Sequence, residues 1–482
     1  MSIIKEGNTD LDEYKDLIAR TFEETPTTET IDGHIYNLYP IGSSILALPF
    51  VYAIDQFAGR VLSFDLNEHV KQVVPEGIEL FIACFVIALT AVIVYRIARL
   101  SLDRPRSLAL VFIFAFCTSA WSTASRALWQ HGPSMLMLAI ALYIILLAKD
   151  RPALIQFASA PLAFSYEIRP TNSISIALLT AFVFVQYRRY FGRYLLWAMP
   201  IAVPLVVFNL SLYHSVLPSY YRWYKDFSVS IFPEALVGHL ISPSRGLFIF
   251  SPVFLLSIWG VVSKFKQKRL ERLDHFLIGI AVVHWMAVSI WPVWWGGASF
   301  GPRILSDMIP YLTYWLIPTA AAISHLGGWK KIGLVAASLC LVGMSFFVHY
   351  RGANVKDVIE WNAWPINVDW RPQRVWDMRD VQFLRGIKWG IPANVSVSGV
   401  TVEQIDVDTY LRLGTNDLRL RWFDAATSLI APPDKSWIAI ADRQSVAKDL
   451  APLFDGATPQ ISGRTMIYND AYRIYRCSEK EY

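Results

Sequence analysis

Apolar residues are grouped into long runs between residues 77 and 349, and shorter polar stretches separate the runs. The core of a lipid bilayer is about 30 Å thick, so a helix needs about 20 mainly apolar residues to cross it. On this pattern we predict ten helical membrane spans. They cover residues 77–95, 107–124, 133–148, 153–166, 173–187, 194–213, 247–262, 276–291, 304–323 and 332–349. The spans 153–166 and 173–187 also fit a tilted or broken pair around Arg169 and Pro170.

The composition is that of a membrane protein. Hydrophobic residues make up 54% of the 482 residues and charged residues 17%, and the mean hydropathy is +0.36. A soluble globular chain of this length rarely reaches these values. The predicted fold class is therefore mainly α, a polytopic bundle of transmembrane helices. Cys84, Cys117 and Cys340 fall inside apolar spans and Cys477 lies in a polar region, so neither a disulfide framework nor a metal-binding spacing is predicted.

Lysine and arginine are distributed unequally between alternate loops. One set of loops holds sixteen of them and the opposite set holds six. By the positive-inside rule the richer set is cytoplasmic. It comprises residues 96–106, 149–151, 188–193, 264–272 and 330–331. These loops account for the net charge of +5 without a nucleic-acid partner, because no long basic run with interleaved aromatic residues occurs. We expect a multi-pass protein of the cell (inner or plasma) membrane whose active face is extracytoplasmic.

The polar segment before the first span, residues 1–75, is predicted to lie on the outer side. It contains Asp10, Asp12 and Glu13 within four residues, and then an aromatic run that becomes apolar at Ile45 without becoming long enough to cross a bilayer. A re-entrant or surface-lying piece fits this run, and a solvated acidic tail is the alternative. The first 30 residues are polar and contain no cleavable signal peptide. Such a segment reaches the outer side most simply behind a further transmembrane helix, so we expect that a first helix is missing.

The last part of the chain, residues 351–482, is predicted to be a separate extracytoplasmic module that follows the bundle of residues 76–350. Trp361, Trp364, Trp370 and Trp376 lie in a link that contains proline and arginine. Strand-like runs follow, with helical material at residues 444–453, and together they predict a small α/β domain. The runs are residues 395–400, 427–431, 436–441, 464–468 and 472–477. The module has no nucleotide fingerprint or nucleophile elbow, so acceptor binding and lid-like support both remain open.

The outer loops repeatedly place a cation beside the start of a helix, where both the guanidinium and the helix dipole favour an anion such as phosphate. We favour Arg245 and Arg303 as phosphate ligands, supported by Arg126, Arg169 and His131. Aromatic residues between them are candidates for sugar or acceptor contacts. These are Tyr36, Tyr39, Trp129, Trp294 and Trp295. The alternatives are arginines that only anchor the chain at the membrane surface and aromatic residues that mark the headgroup belt.

The motifs occur in a characteristic order: DLDEY, DGHIYNLYPIGSSILALPF, ALWQHGP, IRPTN, SPSRGLFIFSP and WWGGASFGPRILSDMIPYL. This order, over residues 7 to 380, resembles the integral-membrane glycosyltransferases of the GT-C fold. The closest likeness is to bacterial proteins related to the protein O-mannosyltransferase and aminoarabinose transferase group. The resemblance implies a polyprenyl-phosphate sugar donor and a catalytic carboxylate in the first outer loop. The matching acids are Asp12 and Glu13, with Asp10 as their neighbour, and the departure is the absent first helix.

Elementary chemistry agrees with that implication. Sugar transfer from a lipid phosphate needs a base for the acceptor proton, cations for the leaving phosphate and a cleft that excludes water. An anionic leaving group needs no paired general acid, unlike glycoside hydrolysis, and we expect inversion at the anomeric carbon. Asp12 is favoured as the base because Glu13 follows it and can raise its pKa or orient it. No metal is required, although such an acidic cluster is able to hold Mg²⁺ or Mn²⁺.

Two other functions use the same features. A transporter or flippase of lipid-linked sugars would have the same cationic, aromatic outer cavity, but it should also show internal repeats and polar residues at mid-membrane depth, and neither is evident. A non-catalytic membrane assembly protein would keep the helices without needing the acid cluster. The residues do not distinguish a lipid, glycan or protein acceptor, and they do not name the sugar or the lipid carrier.

Overall fold

The computed structural model describes residues 1–21, 27–222, 230–363, 367–369, 371–378, 380–385 and 387, and the backbone of six short strands after residue 393. The chain divides into two compact units, Met1–Val355 and Lys356–Tyr482. The described part is mainly helical, which confirms the predicted class at that level.

The first unit begins with a small polar region in front of the bundle. Its elements are helix α1 (Ser2–Lys5), a 3₁₀ turn (Asp12–Tyr14), helix α2 (Lys15–Thr21) and strands β1 (Thr28–Ile31) and β2 (His34–Asn37). The two strands form an antiparallel hairpin with Ile31 opposite His34. Asp32 and Gly33 connect them, both with positive φ. A two-residue Asp-Gly turn of this kind matches the right-handed twist of a hairpin, so these two residues set the register of the strands.

Helix α3 (Gly42–Val61) follows the hairpin and leads to α4 (Leu66–Val70). It is twenty residues long, where the sequence predicted a re-entrant or surface-lying piece, and it carries Asp55, which is buried in an ion pair with Lys5 at 2.8 Å. The first residue of α3 meets the bundle directly. A Cβ atom on Gly42 would lie 2.4 Å from the carbonyl oxygen of Glu167, so only glycine permits this approach of two backbones.

Gly42→Ala should therefore weaken the packing of α3 on the bundle. The added methyl group has to displace backbone rather than a flexible side chain, and we expect a loss of about 1–3 kcal/mol in stability. Gly59→Ala is the matched control, because Gly59 lies in the same helix with no atom near its Cβ position. Thermal unfolding and limited proteolysis of both variants in detergent would test this. Equal stability of the two variants would contradict the contact.

Thirteen α-helices are described between residues 76 and 325, and α18 follows them. They are α5 (Glu76–Arg99), α6 (Arg104–Phe116), α7 (His131–Leu147), α8 (Ser159–Ile168), α9 (Ser173–Gln186), α10 (Phe191–Tyr213), α11 (Ser219–Arg222), α12 (Phe232–Ile241), α13 (Leu247–Phe250), α14 (Leu255–Lys266), α15 (Arg272–Ser289), α16 (Ile309–Tyr314), α17 (Leu316–His325) and α18 (Gly328–Asn354). Every predicted span thus contains helix.

Several of these spans are broken into shorter pieces. The predicted break between residues 166 and 173 is present: α8 ends at Ile168, Arg169 has extended backbone angles, and a 3₁₀ turn begins at Pro170. A residue before proline is pushed out of the helical region by the proline ring. A π-helical turn, Ala120–Ala124, follows α6, and 3₁₀ turns at Pro252–Phe254 and Arg303–Met308 precede α14 and α16. Further 3₁₀ turns, at Pro152–Ala158 and Arg188–Tyr190, follow α7 and α9, so irregular backbone interrupts the helical pattern at both ends of the helices.

Three segments in the described part of the chain are long and apolar enough to cross a membrane: Glu76–Arg99, Arg188–Tyr213 and Gly328–Asn354. Helix α10, within the second of them, exposes large apolar side chains such as Leu196 and Val207, which are 67% and 58% exposed. A helix that turns apolar side chains outward needs an apolar surrounding. Both the length of these apolar segments and their exposed apolar side chains therefore support a membrane protein.

Loops from the lysine- and arginine-rich set contact one another. Lys149, after α7, forms an ion pair with Glu271 at the start of α15. Asp274 pairs with Lys264 of α14 and accepts a hydrogen bond from the backbone of Glu271 at 2.8 Å. This last bond completes a reciprocal capping box at the start of α15. Two of the five loops that the charge count grouped, residues 149–151 and 264–272, thus contact each other.

The second unit begins with α19 (Lys356–Glu360) and contains a buried charged cluster. Asp380 accepts hydrogen bonds from Arg374 at 3.2 Å and Arg385 at 2.7 Å. The guanidinium of Arg374 lies 4.3 Å from the centre of the Trp361 ring, and both arginines are buried. One carboxylate therefore balances two cations in the core of this unit.

Six strands follow in the second unit, and they lie within or beside all five predicted strand-like runs. Their sheet order is β3-β4-β8-β7-β6-β5, with antiparallel pairing throughout. They are β3 (Asn394–Val397), β4 (Val400–Ile405), β5 (Leu429–Ile430), β6 (Trp437–Ile440), β7 (Thr465–Tyr468) and β8 (Arg473–Cys477). The predicted helical material at 444–453, together with Trp364 and Trp370, lies outside the described residues.

Candidate functional site

The hairpin holds the acidic motif DLDEY in place. Asp12, at the start of the 3₁₀ turn, accepts a hydrogen bond from the backbone N–H of Ile35 at 2.8 Å, and its other oxygen lies 2.6 Å from Nδ1 of His34. The backbone N–H of Leu11 donates to the carbonyl of Ile35 at 2.7 Å. Asp12 stays 43% exposed. Strand β2 therefore orients this carboxylate while leaving it accessible.

The same contacts set the protonation of both side chains. The backbone hydrogen bond from Ile35 and then that from His34 lower the pKa of Asp12 below its ordinary value. The hydrogen bond to Asp12, together with its charge, raises the pKa of His34. Hydrogen bonds to a charged form favour that form. Asp12 is thus held as the carboxylate. The prediction that Glu13 raises the pKa of Asp12 is wrong, because hydrogen bonds from Ile35 and His34 lower that pKa and orient the side chain instead.

A titration would test this pairing. His34 should titrate above its ordinary pKa of 6.5, and Asp12→Asn should return it toward that value. A raised histidine pKa stabilises the fold below pH 6.5, and the effect is lost as the pH rises through the raised value. The lowered pKa of Asp12 acts above pH 3.8 and its effect is lost on acidification. NMR of ¹³C-labelled histidine, with His34→Gln for assignment, gives the measurement. An identical His34 pKa in both proteins would contradict the pair.

The other two acids of the motif point to different surroundings. The carboxylate of Asp10 accepts from the backbone N–H of Asp12 at 3.4 Å, and its charge acts on Tyr36 of β2. Glu13 instead lies beside the half-buried Tyr14. Burial, and then the charge of Glu13, raise the pKa of Tyr14 to about 12. The acids of DLDEY therefore have two different environments: Asp10 and Asp12 lie beside β2, whereas Glu13 lies beside Tyr14.

Asp10, Asp12 and His34 also place one ligand atom each within 4.8 Å of one another. Two carboxylates and an imidazole suit Mn²⁺ better than Mg²⁺, which prefers oxygen ligands. Nδ1 of His34 and Oδ2 of Asp12 already share a hydrogen bond, so a cation would take the place of the proton between them. The residues thus fit a divalent ion, at the expense of the hydrogen bond.

A second group joins aromatic residues with cations from several loops. The guanidinium of Arg303 lies 4.8 Å from the centre of the Trp129 ring, and the Trp129 and His131 rings are 6.3 Å apart. Tyr39 contacts Tyr220 with ring centres 5.0 Å apart. Burial and then Tyr220 raise the pKa of Tyr39, while the charge of Arg303 opposes this shift. We call Tyr39, Trp129, His131 and Arg303 the cation–aromatic cluster.

A buried polar network lies behind this cluster. Arg169 donates to Asp307 at 2.7 Å and approaches Nδ1 of His131 at 3.1 Å. Ser134 donates to the other oxygen of Asp307 at 2.7 Å, and Asn172 donates to Ser134 at 2.9 Å. All five side chains are buried. One carboxylate therefore ties the start of α7 to the turn between α8 and α9 and to the 3₁₀ turn before α16.

Sequence reasoning missed Asp307 because it lies inside the predicted span 304–323, where the surrounding residues are apolar. The signal was available. An acid inside an apolar span is costly unless it is paired, and Arg169 stands beside the predicted break in the chain. Pairing the only acid of that span with a cation of another outer loop would have found the contact.

The remaining predicted residues lie elsewhere. Arg245 is 1% exposed and donates to the backbone carbonyls of Trp295 at 2.7 Å, Ser244 at 2.7 Å and Gly297 at 3.2 Å. Trp294 is buried against Gly238, where an added Cβ would lie 2.2 Å from the ring. Arg126 is exposed. The contacts of Arg245, Trp294 and Trp295 are those of residues that shape the loop before Arg303.

The structure thus brings Tyr39, Trp129, His131, Arg169 and Arg303 together. Asp12 is bound to the hairpin that carries Tyr36, Asp10 lies beside Asp12, and Glu13 lies beside Tyr14 instead. Comparison with known proteins adds no family: no protein-family model, no curated protein and no solved structure matches the chain.

Proposed function

We propose that the chain is a membrane glycosyltransferase that moves a sugar from a polyprenyl-phosphate donor to an extracytoplasmic acceptor. One observation carries the proposal: the short segment that supplies Tyr39 of the cation–aromatic cluster also binds and orients an accessible carboxylate, that of Asp12. Ile35, which binds Asp12, is four residues before Tyr39 of the cluster. Four residues span no more than about 14 Å. We propose that the base and the phosphate-binding cation act on the same donor and acceptor.

The proposed reaction uses Asp12 as the general base. The acceptor hydroxyl gives its proton to the carboxylate as its oxygen forms a bond to the anomeric carbon, and the bond to the lipid phosphate breaks with its electron pair on the phosphate. Attack opposite the leaving group inverts the configuration. A phosphate needs no proton to leave, so one carboxylate is sufficient. The hydrogen bonds from β2 that fix Asp12 lower the cost of aligning base and acceptor.

The cation–aromatic cluster is proposed to bind the donor. Arg303 can contact two phosphate oxygens at once through its planar guanidinium, and its charge balances the negative charge that develops as the phosphate leaves. Trp129, 41% exposed, and Tyr39 offer aromatic faces for the sugar. The exposed Arg126 is proposed to meet the approaching phosphate from solvent, whereas Arg245 is assigned a structural part in the loop. A divalent cation bound by Asp10, Asp12 and His34 would supply positive charge near the acceptor.

The test is an assay of sugar transfer by the purified chain, with radiolabelled polyprenyl-phosphate sugars as donors. Arg303→Lys should weaken donor binding about tenfold, because a bidentate contact becomes a single point charge. Arg188→Lys is the matched control, since Arg188 also lies over an aromatic ring, Phe184, at 5.7 Å, but at the lysine- and arginine-rich end. Equal donor affinity in both variants would reduce Arg303 to a surface anchor. Movement of the donor across vesicles without transfer would favour the transporter.

A further inference from the structure

We propose that His131 binds the donor phosphate as a neutral hydrogen-bond donor through Nε2–H, and that Arg169 and Asp307 act through it by fixing this tautomer. The identity of the ligand rests on the proposed function, whereas the state of the ring follows from its contacts. The sequence grouped Arg169 and His131 as parallel phosphate ligands. The structure assigns them different tasks, with Arg169 behind His131 as a positioning residue.

The tautomer follows from the chemistry of the two side chains. Arg169 NH1 lies 3.1 Å from Nδ1 of His131. A guanidinium has only donors, so Nδ1 must accept and cannot carry a proton. The proton of the neutral ring therefore lies on Nε2. Protonating both nitrogens would replace this hydrogen bond with the contact of two cations, which is unfavourable in a buried site.

The guanidinium is itself held in place. Asp307 accepts from Arg169 at 2.7 Å, Ser134 donates to the same carboxylate at 2.7 Å and Thr171 lies 3.4 Å from it. The charge of Arg169 is thus compensated within the network. Because Ser134 lies one helical turn after His131 on α7, the same carboxylate positions the helix that carries the imidazole.

The His131 ring lies beside the proposed donor site, and we assign its Nε2 edge to the phosphate. The ring of His131 is 6.3 Å from that of Trp129, which carries Arg303 on its face. Within the described part of the chain, the ring makes no further hydrogen bond. His131 is also the first residue of α7, and the helix dipole favours an anion at this end. A phosphate oxygen that reaches Arg303 could accept the Nε2–H hydrogen bond as well.

Two substitutions of His131 separate the nitrogens. Glutamine places an amide NH₂ near the position of Nε2, whereas the shorter asparagine places its amide near Nδ1. His131→Gln should bind farnesyl phosphate within about threefold of wild type, and His131→Asn should bind it at least about tenfold more weakly, the cost of one hydrogen bond to a charged group. Equilibrium binding of radiolabelled farnesyl phosphate to the full chain in detergent, with thermal unfolding as a folding check, gives both values. Equal affinities of the two variants would overturn the inference.

The positioning role is tested by a double-mutant cycle. The paired substitution Arg169→Met with Asp307→Leu removes both buried charges together, which keeps the variant foldable. It should weaken farnesyl phosphate binding about three- to tenfold when His131 is present, and have no further effect in the His131→Asn background. The same loss in both backgrounds would mean that Arg169 contacts the phosphate itself, and the inference would be wrong.

The outcomes also separate this inference from the proposed function. If wild type binds farnesyl phosphate but transfers no sugar, glycosyl transfer fails while the comparison of glutamine with asparagine still decides the role of His131. If transfer is found and the two variants bind alike, the tautomer inference fails and the proposed function stands. Failure of wild type to bind the probe would overturn the inference.

Discussion

Asp12→Asn should lower the turnover of sugar transfer by about 100-fold or more, with donor binding nearly unchanged. Asparagine has almost the shape of aspartate and keeps an oxygen that can accept from the N–H of Ile35. It cannot take a proton from the acceptor hydroxyl. Initial rates and donor affinity, measured on one preparation, separate the chemical step from binding.

Glu13→Gln is the matched control, since Glu13 is the neighbouring residue but lies beside Tyr14. We expect near wild-type turnover from it. If Glu13→Gln lost activity while Asp12→Asn kept it, the base would be Glu13 and the hairpin contact only structural. Full activity in both variants would remove this segment from the chemistry and favour transport.

Asp307→Ala should destabilise the first unit by about 3–5 kcal/mol, because it leaves the buried cation of Arg169 without its counter-ion. The carboxylate also holds Ser134, so the start of α7 should loosen with it. Replacing both partners, Arg169→Met with Asp307→Leu, should restore most of the stability, since no buried charge then remains. Unfolding in mixed micelles, followed by circular dichroism, would measure both effects.

A control at the other end of the bundle sets the scale for this loss. Asp103 caps α6 by accepting from the backbone N–H of Arg106 at 3.1 Å, and Asp103→Ala should cost about 1 kcal/mol. If Asp307→Ala lowered the stability no more than Asp103→Ala, water or neighbouring groups would be compensating the charge of Arg169. The network would then not be what stabilises the start of α7.

The sequence predicted the positions of helices well because hydropathy depends on local composition. It predicted their breaks less well, since the π-helical turn at 120–124 and the 3₁₀ turn at 303–308 depend on packing. The hairpin of β1 and β2 was missed even though Asp32 and Gly33 are a strong turn signal. Its strands, TETI and HIYN, are mainly polar, so a pattern of apolar runs does not mark them.

The candidate site was predicted as a set of residue types but not as a set of contacts. The alternation of loops was enough to expect Trp129 and Arg303 on one side. It could not show that Asp12 pairs with His34, 22 residues later, or that Arg169 is paired with Asp307, 138 residues later. Nor could it show that Arg245 is surrounded by carbonyl groups. Such pairings arise from tertiary packing, which spacing along the chain does not encode.

The contact of Gly42 with the backbone at Glu167 limits which parts of the chain can be exchanged with another protein. The segment with the acidic motif meets the bundle two residues from Arg169, through two main chains that leave no room for a side chain. Residues 1–61 transferred to another bundle would pack only if the backbone of the recipient approached Gly42 as the backbone at Glu167 does here. The two pieces should therefore be exchanged together.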